Sequence, residues 1–211
     1  MTTTVELQPL LQDRGRLERR AKLLAWAGNG WHVAEFGIAL GAGIAAGSVA
    51  LVAFSLDSLI EVAAAGVVIW LFSGGRGSSH AAERHAQQLV AASYGLLVVY
   101  IGVAAVRDVL GAHHPSASWV GIGLAAFTAP TMPLLARAKR RVGRALNSSA
   151  TVSEAGQNMI CAYLSVALLV GLLGNALLGW WWADSAAALV IAAFAAKEGV
   201  DSWRGESCDC C

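Results

Sequence analysis

The sequence predicts an all-α membrane protein, a bundle of six transmembrane helices with both termini on the cytoplasmic side. Three observations carry this: the composition, six apolar runs of spanning length, and the placement of the basic residues. Of 211 residues 56% are hydrophobic and only 14% charged, with a mean hydropathy of +0.57. A soluble domain carries about 25% charged residues, so a soluble enzyme, a disordered chain and a nucleic-acid binder are all excluded as classes. The formal net charge of +1 offers no basic field to phosphates. Four cysteines in a chain of this size do not make a secreted disulfide framework.

A spanning helix needs about 20 mainly apolar residues. Residues 1–22 precede the first such run and read as a cytosolic amphipathic or basic arm, with Leu7, Leu10, Leu11 and Leu17 beside Arg14, Arg16, Arg19 and Arg20. The first run, 23–45, is too long for the apolar segment of a signal peptide, so none is expected. It ends at Ala46-Gly47-Ser48, and Gly37 and Gly41 within it form a small-xxx-small face suited to close helix packing. The second run, 49–72, stops at a break from Ser73 to Gln87 that contains Gly74, Gly75 and Gly77. The third, 88–109, stops before Gly111 to Pro115, and the fourth, 118–136, leads into the basic stretch Arg137 to Asn147. Pro130 and Pro133 free backbone carbonyls in the fourth helix and can kink it. The fifth, 153–174, is separated from the sixth, 180–199, by Asn175 to Gly179. One membrane domain over 23–200 therefore fills the chain, followed by a short Cys-rich cytosolic tail at 201–211.

Orientation follows from charge. With the N terminus inside, Arg14, Arg16, Arg19, Arg20, Lys22, Arg76, Arg84, Arg137, Lys139, Arg140, Arg141, Arg144, Lys197 and Arg204 all fall on the inner side, and only Arg107 near the outer. The positive-inside rule selects that topology. Trp119 and Trp180-Trp181-Trp182 then mark the outer interface, and Trp26, Trp70 and Trp203 the inner one.

The residues that hydropathy does not explain are the informative ones. A carboxylate at mid-membrane costs about 2.5–3.5 kcal/mol on insertion scales, so it faces a pathway or a partner. The second helix carries Asp57 and Glu61, four apart and so on one face. Two like charges so close call for a shared cation or proton, which is what a proton-coupled cation site requires. The first helix adds His32 and Glu35 at matching depth, if it runs antiparallel to the second. For His32 a hydrogen-bonded packing role and a proton-relay or ligand role stand level. The fifth helix presents Glu154, Gln157, Asn158 and Cys161 as one polar stripe. Amide oxygens and a thiolate are plausible ligands for a divalent ion, the thiolate favouring softer metals.

The stretch from Ser48 to Glu61 resembles the second transmembrane helix of the cation diffusion facilitator family, where a Ser-rich turn leads to an (Asp/His)-x-x-x-Asp pair. Ser153 to Ala188, with Trp182-Ala183-Asp184, is similar to that family's fifth helix, turn and Trp-x-Asp signature. The resemblance implies six helices in this order and a tetrahedral site for Zn²⁺ or a related ion, two ligands coming from the second helix and two from the fifth. It also implies that a proton moves the other way during alternating access. By position the second-helix pair falls on Asp57 and Glu61, the fifth-helix His-x-x-x-Asp pair on Gln157 and Cys161, and the preceding acid on Glu154. Glu35, Asn158 or Glu154 can substitute for a weak donor. Many members of the family carry a cytosolic C-terminal domain; here the chain reaches Cys208-Asp209-Cys210-Cys211 instead. Cys208, Cys210 and Cys211 could collect soft metal, or form a tail acylated near the membrane. His80 and His85 fall in the loop where family members gather metal, a solvated loop being the plainer reading.

The function expected is therefore a secondary transporter exporting Zn²⁺ or a related divalent metal in exchange for protons, in a bacterial inner membrane. No cofactor, enzymatic activity or nucleic-acid partner is expected, and a homodimer is implied by the resemblance. The alternatives are a soft-metal (Cd²⁺, Hg²⁺ or Cu⁺) transporter, and a metal-sensing or scaffold protein that does not transport.

Overall fold

The computed structural model describes the backbone of residues 3–73, 80–111, 114–146 and 149–204. Side chains are described from residue 15 onward, apart from residues 18, 64–73, 80–87, 90, 149–150 and 153. Six helices account for almost all of it: α1 Thr3–Ala46, α2 Val49–Ser73, α3 His80–Leu110, α4 Trp119–Leu146, α5 Ser149–Leu178 and α6 Trp182–Arg204. The polar lead-in is not a separate element, because α1 runs through it into the first apolar run without a break.

Contacts between the helices close a ring in the order α1, α2, α3, α6, α5, α4 and back to α1. Helix α2 also touches α5 and α6 across the ring, so it is the innermost. Its face explains the position: Ala50, Leu51, Ala53, Phe54 and Ser55 are all fully enclosed, meeting Leu124, Leu164, Leu168 and Ile191 from the surrounding helices. The outward faces are apolar as well. Leu96, Val99, Val103, Val170 and Leu189 are exposed, which in water would be a liability and in lipid is the expected surface.

Among the described residues, Ala91–Leu110, Trp119–Leu146 and Glu154–Leu178 are long and apolar enough to cross a membrane by length and composition. Helices α1 and α6 fall short because Asn29, His32 and Glu35 on one, and Asp184, Lys197 and Glu198 on the other, interrupt their apolar runs. The described side chains of α2 end at residue 63. Of the groups that interrupt α1 and α6, His32, Glu35 and Asp184 are buried and build the interior described below.

The ends of α1 and α5 are fixed by local chemistry. Gly47 and Gly179 both adopt φ of 65°, the left-handed conformation that glycine takes without a Cβ penalty. After α1, Ser48 N–H bonds Gly43 O at 3.0 Å and Gly47 N–H bonds Ile44 O at 3.4 Å, closing the helix and reversing the chain into α2. The close packing expected at Gly37 and Gly41 does not occur within the chain, since a Cβ there would meet nothing within 4 Å. Tight glycine contacts lie instead at Gly43, where α1 meets Val52 of α2, and at Gly171, where α5 meets the backbone of α6, among others.

Candidate functional site

Ser48 begins α2 and shows how the bundle is pinned at one end. Its hydroxyl accepts from Leu51 N–H at 3.1 Å, capping the helix, and donates to Asp184 Oδ1 at 2.6 Å. Asp184 Oδ2 in turn accepts from Ala50 N–H at 3.3 Å. A carboxylate on the unpaired N–H groups of a helix start is favoured by the helix dipole. The Asp of the Trp-Ala-Asp motif is therefore a joint between α6 and α2, engaged with backbone and hydroxyl.

About three turns along α2 from that joint the interior turns polar. Glu35 of α1 has no exposed surface. Its Oε1 accepts from Thr128 Oγ1 of α4 at 2.8 Å, and its Oε2 from Ser58 Oγ of α2 at 3.0 Å. The Cys161 thiol of α5 lies 3.7 Å from the same Oε2, and His32 Nδ1 lies 3.2 Å from it. Four helices thus converge on one carboxylate. His32 Nδ1 also sits 3.1 Å from Glu61 Oε2, an ion-pairing distance without the alignment of a hydrogen bond. Among the described residues Glu61 Oε2 has no hydrogen-bond donor although it is enclosed.

Donor atoms of His32, Glu61 and Cys161 all lie within 4.8 Å of one another, and all three side chains are buried. An imidazole nitrogen, a carboxylate oxygen and a thiol sulfur at that spacing suit a transition-metal ion of the zinc type, with metal–ligand distances of about 2.0–2.3 Å reached by small rotations. Carboxylates so far from water are costly unless a cation or a proton compensates them.

The sequence-derived candidates divide over this geometry. Glu61 and Cys161 join His32 and Glu35. Asp57 and Gln157 instead line an adjoining pocket, with Glu61 on its edge. Glu154 pairs with Lys139 of α4 at 3.2 Å and so lies outside the cluster. Asn158 donates to Met132 Sδ at 3.2 Å, while its enclosed Oδ1 has no donor among the described residues. The side chains of His80 and His85, and all of Cys208, Cys210 and Cys211, lie outside the described residues.

Four residues of the polar interior are not among the sequence-derived site residues. Ser58 and Thr128 both donate to Glu35. Lys139 was counted among the inner basic residues, yet it is buried. Glu198 passed as the end of the sixth run, yet it lines the pocket of Asp57. The common signal was polarity inside an apolar window, which for Ser58 stood directly beside Asp57.

A six-helix bundle with an apolar exterior is that of an integral membrane protein, and its interior groups His32, Glu61 and Cys161 as donors that could hold a metal ion. Residues 33–204 match the cation efflux transmembrane domain; the chain belongs to that family, whose members are transporters of metal cations. No curated protein matches the chain.

Proposed function

We propose that the protein is a secondary transporter that exports a divalent transition-metal ion, Zn²⁺ foremost, from the cytoplasm in exchange for protons. The observation that carries this reading is the buried trio of His32, Glu61 and Cys161, with donor atoms within 4.8 Å of one another at the meeting of α1, α2 and α5. Glu35 holds the imidazole and the thiol in place through its contacts with both. Two of the family's ligand positions, Glu61 and Cys161, remain in the set, and His32 supplies the nitrogen.

Proton exchange follows from ligand chemistry. The thiol binds metal as thiolate and the imidazole through an unprotonated nitrogen, so loading the ion releases the thiol proton and any proton held by an imidazolium, and reprotonation expels the ion. The distribution of basic residues supports cytoplasmic termini, the Ala- and Gly-rich composition supports a bacterial inner membrane, and the family resemblance supports a homodimer.

The test is Zn²⁺ flux in proteoliposomes with an internal metal dye. Wild-type protein gives flux that a proton gradient accelerates, and Glu61→Gln abolishes it. Absence of flux for several divalent ions, with folded protein, rejects transport and favours a sensing or scaffold role.

The thiol supports a second reading, selectivity for softer ions such as Cd²⁺. Cys161→Asp separates the two: a zinc exporter keeps or improves zinc flux, whereas a soft-metal exporter loses its flux.

A further inference from the structure

We propose that the Arg-rich end of the seam between α1 and α4 binds an anionic phospholipid, with Arg20 and Arg141 on its phosphate and Phe127 and Leu134 against an acyl chain. Such a site depends on the membrane bundle alone, whatever ion the interior holds.

Charge singles out this end of the molecule. Residues 16–22 of α1 and 137–144 of α4 contain nine of the fifteen Lys and Arg and a single acid, Glu18. Among the described residues the ion pairs of Lys and Arg are Lys139 with Glu154 and Lys197 with Asp201, so Arg20 and Arg141 have no acidic partner there. Both are exposed. The two basic segments belong to neighbouring helices. Their register is fixed where Thr128 donates to Glu35 and where a Cβ on Gly28 would lie 3.5 Å from Leu135 Cδ2. Seven residues back along α1 thus match seven forward along α4, as in an antiparallel pair. Continued at that register, residue 22 stands level with residue 141, which puts Arg20 and Arg141 within about 3 Å of the same depth.

The outer side of the seam is marked by Trp31 and Phe127, whose rings meet across it with centroids 4.9 Å apart. Arg20 lies eleven residues before Trp31, and Leu134 and Arg141 lie seven and fourteen after Phe127. Those spacings are close to whole turns, so all three share the side on which the rings meet. Phe127 and Leu134 are exposed, and beyond them the seam changes from apolar surface to two guanidinium groups on different helices. Trp26, exposed at the level of Arg137, fits the boundary between hydrocarbon and headgroups. A phospholipid presents the matching order, acyl chain and then phosphate. Two arginines offer that phosphate forked donors, and basic pockets between transmembrane helices hold anionic headgroups. A second copy of the chain packed here about a two-fold axis would set arginine against arginine.

Native mass spectrometry of the purified full-length protein, titrated with dioleoyl phosphatidylglycerol and with dioleoyl phosphatidylcholine, tests this. The expected result is phosphatidylglycerol bound at least tenfold more tightly than phosphatidylcholine. Each basic residue near an anionic lipid strengthens binding about fivefold, so Arg20→Gln combined with Arg141→Gln weakens phosphatidylglycerol binding at least tenfold and leaves phosphatidylcholine unchanged. Arg204→Gln, at an exposed position of α6 across the ring, changes it less than twofold. All three arginines are exposed, so folding is preserved and is checked by helicity. Equal affinity for the two lipids overturns the proposal, as does an effect of Arg204→Gln equal to that of the double variant, the mark of general surface attraction. Glycerol phosphate bound as tightly as phosphatidylglycerol, or a dimer that the double variant dissociates with lipid binding unchanged, also overturns it. Failure of zinc flux leaves these results, and the lipid site, standing.

Discussion

Glu35 and Glu61 are one helical contact apart and do opposite things. The lone pairs of Glu35 are engaged by two hydroxyls, a thiol and an imidazole contact, whereas Glu61 Oε2 has only the unaligned imidazole. In the proposed transporter Glu61 is therefore the metal ligand, and Glu35 sets the orientation of His32 and Cys161. Glu61→Gln is accordingly expected to abolish zinc binding in a competition titration. Glu35→Gln, which turns one acceptor into a donor facing other donors, weakens it about 10–100-fold, the usual effect of losing a partner that orients a ligand. Thr128→Val, of similar volume, falls at the low end of that range. Protons compete for the same atoms, so zinc affinity rises with pH, by about one logarithmic unit per pH unit for each proton displaced; a pH-independent affinity would exclude the thiol as a ligand. The acids, the histidine and the cysteine were all legible as residues that lipid would reject. Their grouping was not. Four residues along a helix overshoot a full turn by about 40°, enough for Glu61 to reach His32 while Asp57 faces only the adjoining pocket. Which neighbour stands on either side of that angle depends on the rotation of α1 and α6, which no local pattern encodes.

Among the elements, the ends of the helices were more legible than their faces. Gly47 and Gly179 stood at predicted breaks, and both take the left-handed conformation that ends a helix. The Ser-rich turn into the second helix is a cap whose acceptor, Asp184, comes from 136 residues away. Asp184→Ala is expected to cost about 1.5–3 kcal/mol of stability, as for hydrogen bonds to a charged group, and Ser48→Ala about 1 kcal/mol for the lost cap. Denaturation in detergent measures both. Zinc affinity changes little in either variant, a result opposite to that of a metal ligand. Among the small residues of α1, Gly37 and Gly41 meet no neighbour within the chain, whereas Gly43 closely approaches Val52 of α2, as Gly171 of α5 approaches α6. A Cβ at Gly171 would lie 2.6 Å from Ala187 Cβ and 2.9 Å from Ala183 O, and neither neighbour has rotamers with which to yield. Gly171→Ala should therefore destabilise the bundle by about 1–3 kcal/mol, detectable in the same denaturation experiment.

At the scale of the whole molecule, the low charge content and the six apolar runs were sufficient for the class and the number of helices. Ring order was beyond them, because contacts such as α1 with α4 and α3 with α6 are settled by complementary side-chain shape across the bundle. That order puts α2 innermost and brings donor residues of α1, α2 and α5 together, where the family resemblance implied a site from α2 and α5. The central claim is that His32, Glu61 and Cys161 hold the transported ion, and Co²⁺ bound in place of Zn²⁺ tests it most directly. The protein has four cysteines; replacing Cys208, Cys210 and Cys211 by serine leaves Cys161 as the sole source of a thiolate-to-cobalt charge-transfer band. The account predicts that the full-length chain carrying those three substitutions shows this band, that Cys161→Ser removes it, and that His32→Ala and Glu61→Gln each weaken Co²⁺ binding at least tenfold. Cobalt bound with no thiolate band, or a band undiminished in both His32→Ala and Glu61→Gln, would contradict it.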